Sequence, residues 1–165
     1  MSNSNPYASF LDHRPVATIL TATPILLSAF SKKIGPEKIA IAPAPGKWSP
    51  AETICHLADT EIAFAFRLRQ TLAQDNHVIQ TFDQDKWAIP YASFGPDKGA
   101  EQALAAFNVL RNWNMLLITT VLPASADKSV THPELGALTF ATIVATMAGH
   151  DLNHIQQLQK IADQS

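Results

Sequence analysis

Hydrophobic residues recur every three or four positions along four long stretches of the chain, a spacing typical of amphipathic helices. We expect these helices over residues 14–34, 50–74, 97 or 98–122, and 140–162. Ser49 and Glu52 form a capping box at the second start, and Thr139 can cap the last helix. Pro123 should end the third helix. No stretch of useful length alternates as a strand does, so the pattern predicts an all-α protein, a four-helix bundle.

The segments between the predicted helices cover residues 36–48, 75–96 and 124–138. Loops as long as 75–96 are usually functional in a compact domain. Its aromatic side chains, Trp87 and Tyr91 among them, either contact a substrate over a pocket or cover one end of the core. The sequence leaves both interpretations open. Near the N-terminus, we expect Tyr7, Phe10 and Leu11 to make one turn that packs on the domain.

The composition fits a protein that builds its own core. With 165 residues, 47% of them hydrophobic, we expect a single domain over 1–165 with its core at about 14–162. The formal net charge is -2, and 12 basic residues are scattered among 14 acidic ones. That balance offers no basic stripe for nucleic acid. No apolar run reaches the roughly 20 residues of a membrane span. We therefore expect neither nucleic acid nor a membrane as a partner.

Cysteine content and the N-terminus suggest a compartment. Cys55 is the single cysteine, so no internal disulfide can form, which suits a reducing environment. Residues 1–6 lack the charged and apolar regions of a signal peptide, so we expect a cytoplasmic protein. Cys55 lies about 100° around the helix from His56, so we expect it to be a small core residue.

Two histidines on the predicted fourth helix suggest metal chemistry. His150 and His154 are four residues apart, which places both imidazoles on one face of the helix, where they can converge on one ion. His56, on the second helix, is the best candidate for a third ligand. Three neutral nitrogens leave positions open for water or substrate, as in catalytic metal sites. The alternative is that these are ordinary core histidines, and the pattern alone leaves both possibilities open.

The histidine pattern limits the reaction class but not the metal. Asp151 follows His150 where a zinc protease of the HExxH type would carry Glu, which argues against that kind of peptidase. Imidazole suits zinc, nickel, copper and iron alike. The remaining histidines have no such partners and are expected at the surface: His13, His77 and His132.

Three charged residues are candidates for catalysis. Asp59, one turn from His56, and Asp151 could orient imidazoles or accept protons. Both could equally be solvent-facing helix acids. Arg111 lies inside the apolar stripe of the third helix, an unusual place for a charge. It either binds a substrate carboxylate or forms a buried ion pair with Glu61 or Asp59.

Several motifs occur in the order found in a known family. They lie at residues 46–50, 55–61, 67–68, 82–88, 107, 111, 132–136, 139, 149–151, 154 and 157. Together they resemble the DinB-like superfamily over about residues 14–160. The resemblance implies a four-helix bundle with helices in up-down-down-up order. It also implies a divalent metal, nickel or zinc, held by His56, His150 and His154.

The resemblance implies function only in outline. Some members of the family are thiol-dependent transferases that use a low-molecular-weight thiol such as bacillithiol or mycothiol, and others are called metal-dependent hydrolases. We therefore expect a metal-dependent enzyme that activates a thiol or water against a small electrophilic substrate. The alternative is a non-catalytic, metal-binding, stress-related helical module. Because dimers are common among small bundles, a homodimer is an open option.

Overall fold

The computed structural model describes residues 5–164, in which the four predicted helices are confirmed to within about three residues at their ends. The α-helices are α1 (Val16–Ile34), α2 (Pro50–Ala73), α3 (Gln84–Ala88), α4 (Ala100–Ser125) and α5 (Phe140–Ala162). Single 3₁₀ turns cover Ala8–Phe10 and Ile89–Ser93, and the first of these is the expected N-terminal turn. Strands β1 (Ser129–His132) and β2 (Gly136–Thr139) form an antiparallel hairpin. The predicted absence of a signal peptide concerns residues 1–6, of which 1–4 lie outside the described part.

The four long helices form a bundle in which α1 packs against α5 and α4, while α2 packs against α4 and α5. Contacts between α1 and α5 advance together along both helices: Thr23 meets Asp151, and Lys33 meets Asp163. These two helices are therefore parallel.

Helices α2 and α4 are parallel for the same reason. Glu61 of α2 contacts Arg111 of α4, and Arg69, two turns later, contacts Asn114. Between α2 and α5 the order is reversed, since His56 lies beside His154 and Phe64 beside His150. The helices thus run up, down, down and up, which confirms the predicted topology.

The bundle core consists of two apolar clusters of buried side chains. One lies towards the hairpin and combines helix residues with Ile79, Val130 and Leu138 from the connecting segments. The other fills the opposite half around Leu27 and Phe107.

Between these clusters, the buried Arg111 side chain joins all four long helices. Only 1% of it is exposed. Its guanidinium donates to Glu61 of α2 (Nε to Oε1 3.0 Å, Nη2 to Oε2 2.8 Å) and to Asp151 of α5 (Nη1 to Oδ2 2.5 Å). It also donates to the Leu20 carbonyl of α1 at 3.0 Å.

Neutral donors complete this network. Asn114 Nδ2 donates to Glu61 at 2.8 Å, and the Thr23 hydroxyl donates to Asp151 at 2.8 Å. Burial alone would lower the pKa of Arg111, but the charges of Asp151 and Glu61 outweigh it and raise that pKa. Every charge in the network is therefore paired and hydrogen-bonded, as burial requires.

The structure differs from the sequence-based expectation at two points of the connection between α4 and α5. Strands β1 and β2 have four residues each, with one buried side chain apiece, Val130 and Leu138, so their alternation is too short to read. Pro123 does not end α4, which continues to Ser125. In the last turn of a helix, proline removes only one hydrogen bond, so the helix can continue past it. Within the described residues, no helix is both long and apolar enough to cross a membrane.

We predict that Arg111→Met will strongly destabilise the fold. Removing the cation leaves Glu61 and Asp151 buried without their partner, which costs about 3–5 kcal/mol. Urea unfolding followed by circular dichroism at 222 nm measures the change. Arg14→Met is the matched control, because Arg14 pairs with Asp12 at the exposed surface. An Arg111→Met midpoint as close to the parent's as that of the control would contradict the assigned role.

Candidate metal centre

Three histidine side chains converge inside the bundle, one from α2 and two from α5. His56, His150 and His154 are only 2%, 4% and 6% exposed. Their ring centres lie 5.1 Å (His56 to His150), 4.9 Å (His56 to His154) and 4.6 Å (His150 to His154) apart. The structure thus brings together all three residues that the sequence proposed as ligands.

The ring nitrogens of the three histidines lie close together. One ring nitrogen from each histidine lies within 4.8 Å of the others, and His56 Nε2 is 3.0 Å from His150 Nε2. Two nitrogens that each lie about 2.0–2.1 Å from one ion, at angles of roughly 90–110°, are about 2.8–3.4 Å apart. The distance between His56 Nε2 and His150 Nε2 lies within this range. The role of these residues as ligands stays a prediction.

The surroundings keep the imidazoles neutral, the form that binds metals. Burial, reinforced by the neighbouring His154, lowers the pKa of His56 to about 3. Burial also lowers the pKa of His150 and of His154. Gln157 fixes the tautomer of His154: its amide nitrogen donates to Asn153, so its oxygen accepts from His154 Nδ1 at 3.1 Å. The Nε2 lone pair of His154 therefore remains available.

The charged residues that the sequence proposed for catalysis do not join the histidine cluster. Asp151, beside His150 in sequence, turns to Arg111 and Thr23 inside the core. Arg111 forms ion pairs with Glu61 and Asp151. Of the two roles that the sequence left open for Arg111, binding a substrate carboxylate or forming a buried ion pair, the structure shows the buried ion pair. The sequence offered Glu61 or Asp59 as the ion-pair partner of Arg111. Glu61 pairs with Arg111, whereas Asp59 does not.

Asp59 and Tyr91 form a separate pair outside the histidine cluster. Tyr91 Oη donates to Asp59 Oδ2 at 2.5 Å, and both line a surface groove with Cys55. Burial raises the pKa of Asp59 against the opposing effect of this hydrogen bond. Trp87 is 42% exposed and packs on Phe82, with ring centres 4.8 Å apart. The structure therefore brings neither aromatic residue into the cavities that border the histidines.

Cys55 points away from the histidines, as the sequence predicted. Its buried Sγ donates to the Lys98 carbonyl oxygen at 3.2 Å. Burial, with the nearby acids, raises the thiol pKa to about 12, which removes it as a nucleophile.

Two cavities border the cluster from different sides. The first, of about 200 Å³, reaches His56 and His150 and has mostly apolar walls, including Phe64 and Leu138. The second, a more open groove of about 630 Å³, reaches His154 and is lined mainly by polar side chains.

The N-terminal turn forms part of the wall of both cavities, a contact that the sequence did not predict. The Tyr7 ring meets the His150 ring edge-on at 5.1 Å, and Tyr7 lines both cavities. Gly149 permits this approach, because a Cβ there would lie 2.5 Å from the Tyr7 carbonyl oxygen. A glycine in mid-helix is unfavourable by about 1 kcal/mol relative to alanine, so its presence next to His150 was a usable signal of close contact. Trp48 covers His56 similarly, with ring centres 4.6 Å apart.

The chain is similar to known proteins over most of its length. The family model described as the DinB superfamily matches residues 19–158. A protein of Oceanobacillus iheyensis named "Putative metal-dependent hydrolase" is 25% identical over 116 residues, 70% of this chain and 66% of that protein. One of Halalkalibacterium halodurans with the same designation is 20% identical over 141 residues, 86% of this chain and 81% of its own length. The chain thus spans just under two thirds of the first relative.

Among solved structures, YfiT from Bacillus subtilis has the same fold. It matches with a TM-score of 0.79 at 17% identity, over 90% of this chain and 85% of its own. That protein is described as "a probable metal-dependent hydrolase with an unusual four-helix bundle topology". At this identity the likeness establishes the fold alone, and it agrees with the helix order found here.

We predict that Gly149→Ala will detach the N-terminal turn while the bundle stays folded. The new methyl group would overlap the Tyr7 backbone, whereas alanine favours the helix itself. Chymotrypsin should cleave after Tyr7 or Phe10 several times faster than in the parent, with the circular dichroism at 222 nm unchanged. Equal cleavage rates would show that the contact does not hold the turn.

Proposed function

The chain belongs to the DinB superfamily, and on that premise we propose that it is a metal-dependent enzyme acting on a small molecule, with His56, His150 and His154 as the metal ligands. The observation that carries the proposal is the convergence of three buried, neutral imidazoles beside a cavity. The names of its relatives support the same reaction class, hydrolysis.

The donor set suits nickel or zinc, since three imidazole nitrogens are borderline ligands that both metals accept. Such a cation acts as a Lewis acid and lowers the pKa of a water or thiol that it binds. A three-histidine set leaves coordination positions open for this purpose.

The protein's own residues prepare the site for this chemistry. Gln157 orients His154 through its Nδ1 hydrogen, as partners of metal-binding histidines commonly do. The Thr60 hydroxyl lies 3.4 Å from His56 Nε2 and lines the cavity, so it is placed to hydrogen-bond a bound ligand. Burial raises the pKa of Tyr7, so its phenol remains an O–H donor at neutral pH. The Tyr7 and Trp48 rings limit the access of water to the imidazoles.

A second candidate is transfer to or from a low-molecular-weight thiol. Hydrolysis needs only one organic substrate, yet two cavities of different polarity border the histidines. Among the described residues, the polar groove beside His154 carries Lys47 and Lys160 against one acid, Asp85, and this positive excess suits a hydrophilic, anionic cosubstrate such as a bacillithiol-type thiol. The apolar cavity would then hold the electrophile.

We predict that His56→Ala and His150→Ala will each lose stoichiometric metal. Removing one of three ligands from a buried site sharply reduces affinity, because two histidines rarely hold a divalent ion alone. Elemental analysis after incubation with nickel or zinc and dialysis measures the content, and circular dichroism checks folding. His13→Ala, at an exposed position, is the matched control. Unchanged metal content in the two variants would overturn the ligand assignment.

Turnover is tested by two assays on the metal-loaded protein. Conjugation of monochlorobimane is followed with cysteine, glutathione, bacillithiol and mycothiol, and hydrolysis is followed with a panel of small esters and amides. We expect activity in one assay, lost in the metal-free protein and in His150→Ala. Metal-dependent conjugation would favour transfer, and hydrolysis without any thiol would favour a hydrolase. Metal binding without activity in either assay would leave a binding module.

A further inference from the structure

Arg67 lies in the same apolar cavity as His56 and His150, farther along α2. It follows His56 by eleven residues, which is about three helical turns and returns it to nearly the same face. Its side chain leans back towards the helix N-terminus, and so towards the histidines. Arg67 Cζ is 5.8 Å from the Phe64 ring centre, which is 6.3 Å from the His150 ring centre, so at most about 12 Å separate guanidinium and imidazole.

The Arg67 guanidinium has hydrogen-bond donors that the protein does not fully use. Its Nε is buried and has no hydrogen-bond partner among residues 5–164, and Nη2 donates only a long bond, 3.3 Å, to the Gln80 carbonyl. No carboxylate in the described chain lies within ion-pairing distance of it, in contrast to Arg14 and Arg111. Its other neighbours are the faces of Phe64 and Phe82, 5.8 and 5.7 Å away. Burial accordingly lowers its pKa, though arginine stays charged at neutral pH.

His132 supplies a second donor to the same cavity. Its Nδ1 accepts from the backbone N–H groups of Glu134 and Leu135, at 3.2 and 3.3 Å. In the neutral ring the proton must then be on Nε2, which becomes a donor. Burial and the nearby Arg67 lower the pKa of His132 against the opposing charge of Glu134, and the net lowering keeps the ring neutral. The sequence predicted a surface residue here, whereas the structure places it in the cavity wall.

The charge balance of the cavity is one-sided. Among the described residues that line it, Arg67 is the one formal charge, and none is Asp or Glu. The walls between Arg67 and the histidines are mainly apolar, with Ile79, Leu138 and Ile143 among them. One cation without a counter-ion, in a cavity with mainly apolar walls, favours a ligand with a single negative charge.

We propose that Arg67, with His132 beside it, binds the carboxylate of the substrate, so that the enzyme takes a small monocarboxylic acid with a short apolar body. The apolar walls contact that body, and the reacting group at its other end reaches the three histidines. This inference rests on the proposed function for the reacting end, but the binding of the carboxylate is independent of the metal. A guanidinium fork matches the two oxygens of a carboxylate, which a lysine could not do.

The test is the binding of hexanoate, with hexanamide as its neutral analogue, measured by isothermal titration calorimetry at millimolar concentrations. The full-length protein is used both zinc-loaded and after removal of metal with EDTA. We expect the parent to bind hexanoate at least about tenfold more tightly than hexanamide in both forms. Arg67→Met should remove this preference without changing hexanamide binding, and Arg67→Lys should restore part of it.

Arg69→Met is the matched control, since it removes the same charge two residues away on the same helix, where Arg69 contacts Asn114 instead of the cavity. It should keep the preference for hexanoate. Circular dichroism shows that each variant is folded. The proposal is overturned if Arg67→Met binds hexanoate as the parent does, if the parent does not distinguish the two probes, or if it binds neither.

Failure of the proposed function would look different. If His56→Ala keeps its metal but Arg67→Met loses hexanoate binding, the ligand assignment is wrong and the carboxylate site stands. If His56→Ala loses metal while Arg67→Met binds hexanoate normally, the metal site stands and Arg67 has no role in recognition. Metal content itself should be the same in Arg67→Met and the parent.

Discussion

The structure depends on one buried charge cluster, in which Arg111 of α4 bonds to Glu61, Asp151 and the Leu20 carbonyl on the three other long helices. An unpaired charge at this depth would be very costly, so the helices must adopt the rotation and register that pair it. Asp151 is next to His150, and Glu61 follows His56 by five residues. The alignment that pairs the charges therefore also brings the imidazoles together.

The same arrangement directs the acidic side chains near the histidines in sequence away from the imidazoles. The acids adjoining the histidines in sequence are used elsewhere: Asp151 in the ion cluster and Asp59 with Tyr91. The imidazoles consequently face apolar and neutral polar side chains, so they stay uncharged. The two proposals therefore assign separate places to opposite charges: a positive ion at the ring nitrogens, and a negative group at Arg67 in the same cavity.

Local patterns were enough to predict the four long helices, the HxxxH pair and the candidate third ligand, His56, because helical periodicity is read from near neighbours. The partner of Arg111 was narrowed to Glu61 or Asp59 but not settled, since helix rotation is a tertiary property. The approach of Tyr7 to His150 and the place of His132 in the cavity wall were missed, because both depend on segments far apart in sequence. A four-residue strand with one buried side chain carries too little signal of its own.

The parallel packing of α1 against α5 has a consequence for biosynthesis. Of the four long helices, α1 is synthesised first and α5 last, yet these two pack against each other along the bundle. During translation, the part of α1 that packs against α5 stays uncovered until α5 has left the ribosome, and exposed apolar surface of this kind favours chaperone binding and misassociation. The two histidines of α5 arrive at the same late moment, so a nascent chain cannot assemble the three-imidazole cluster before its fold is nearly complete.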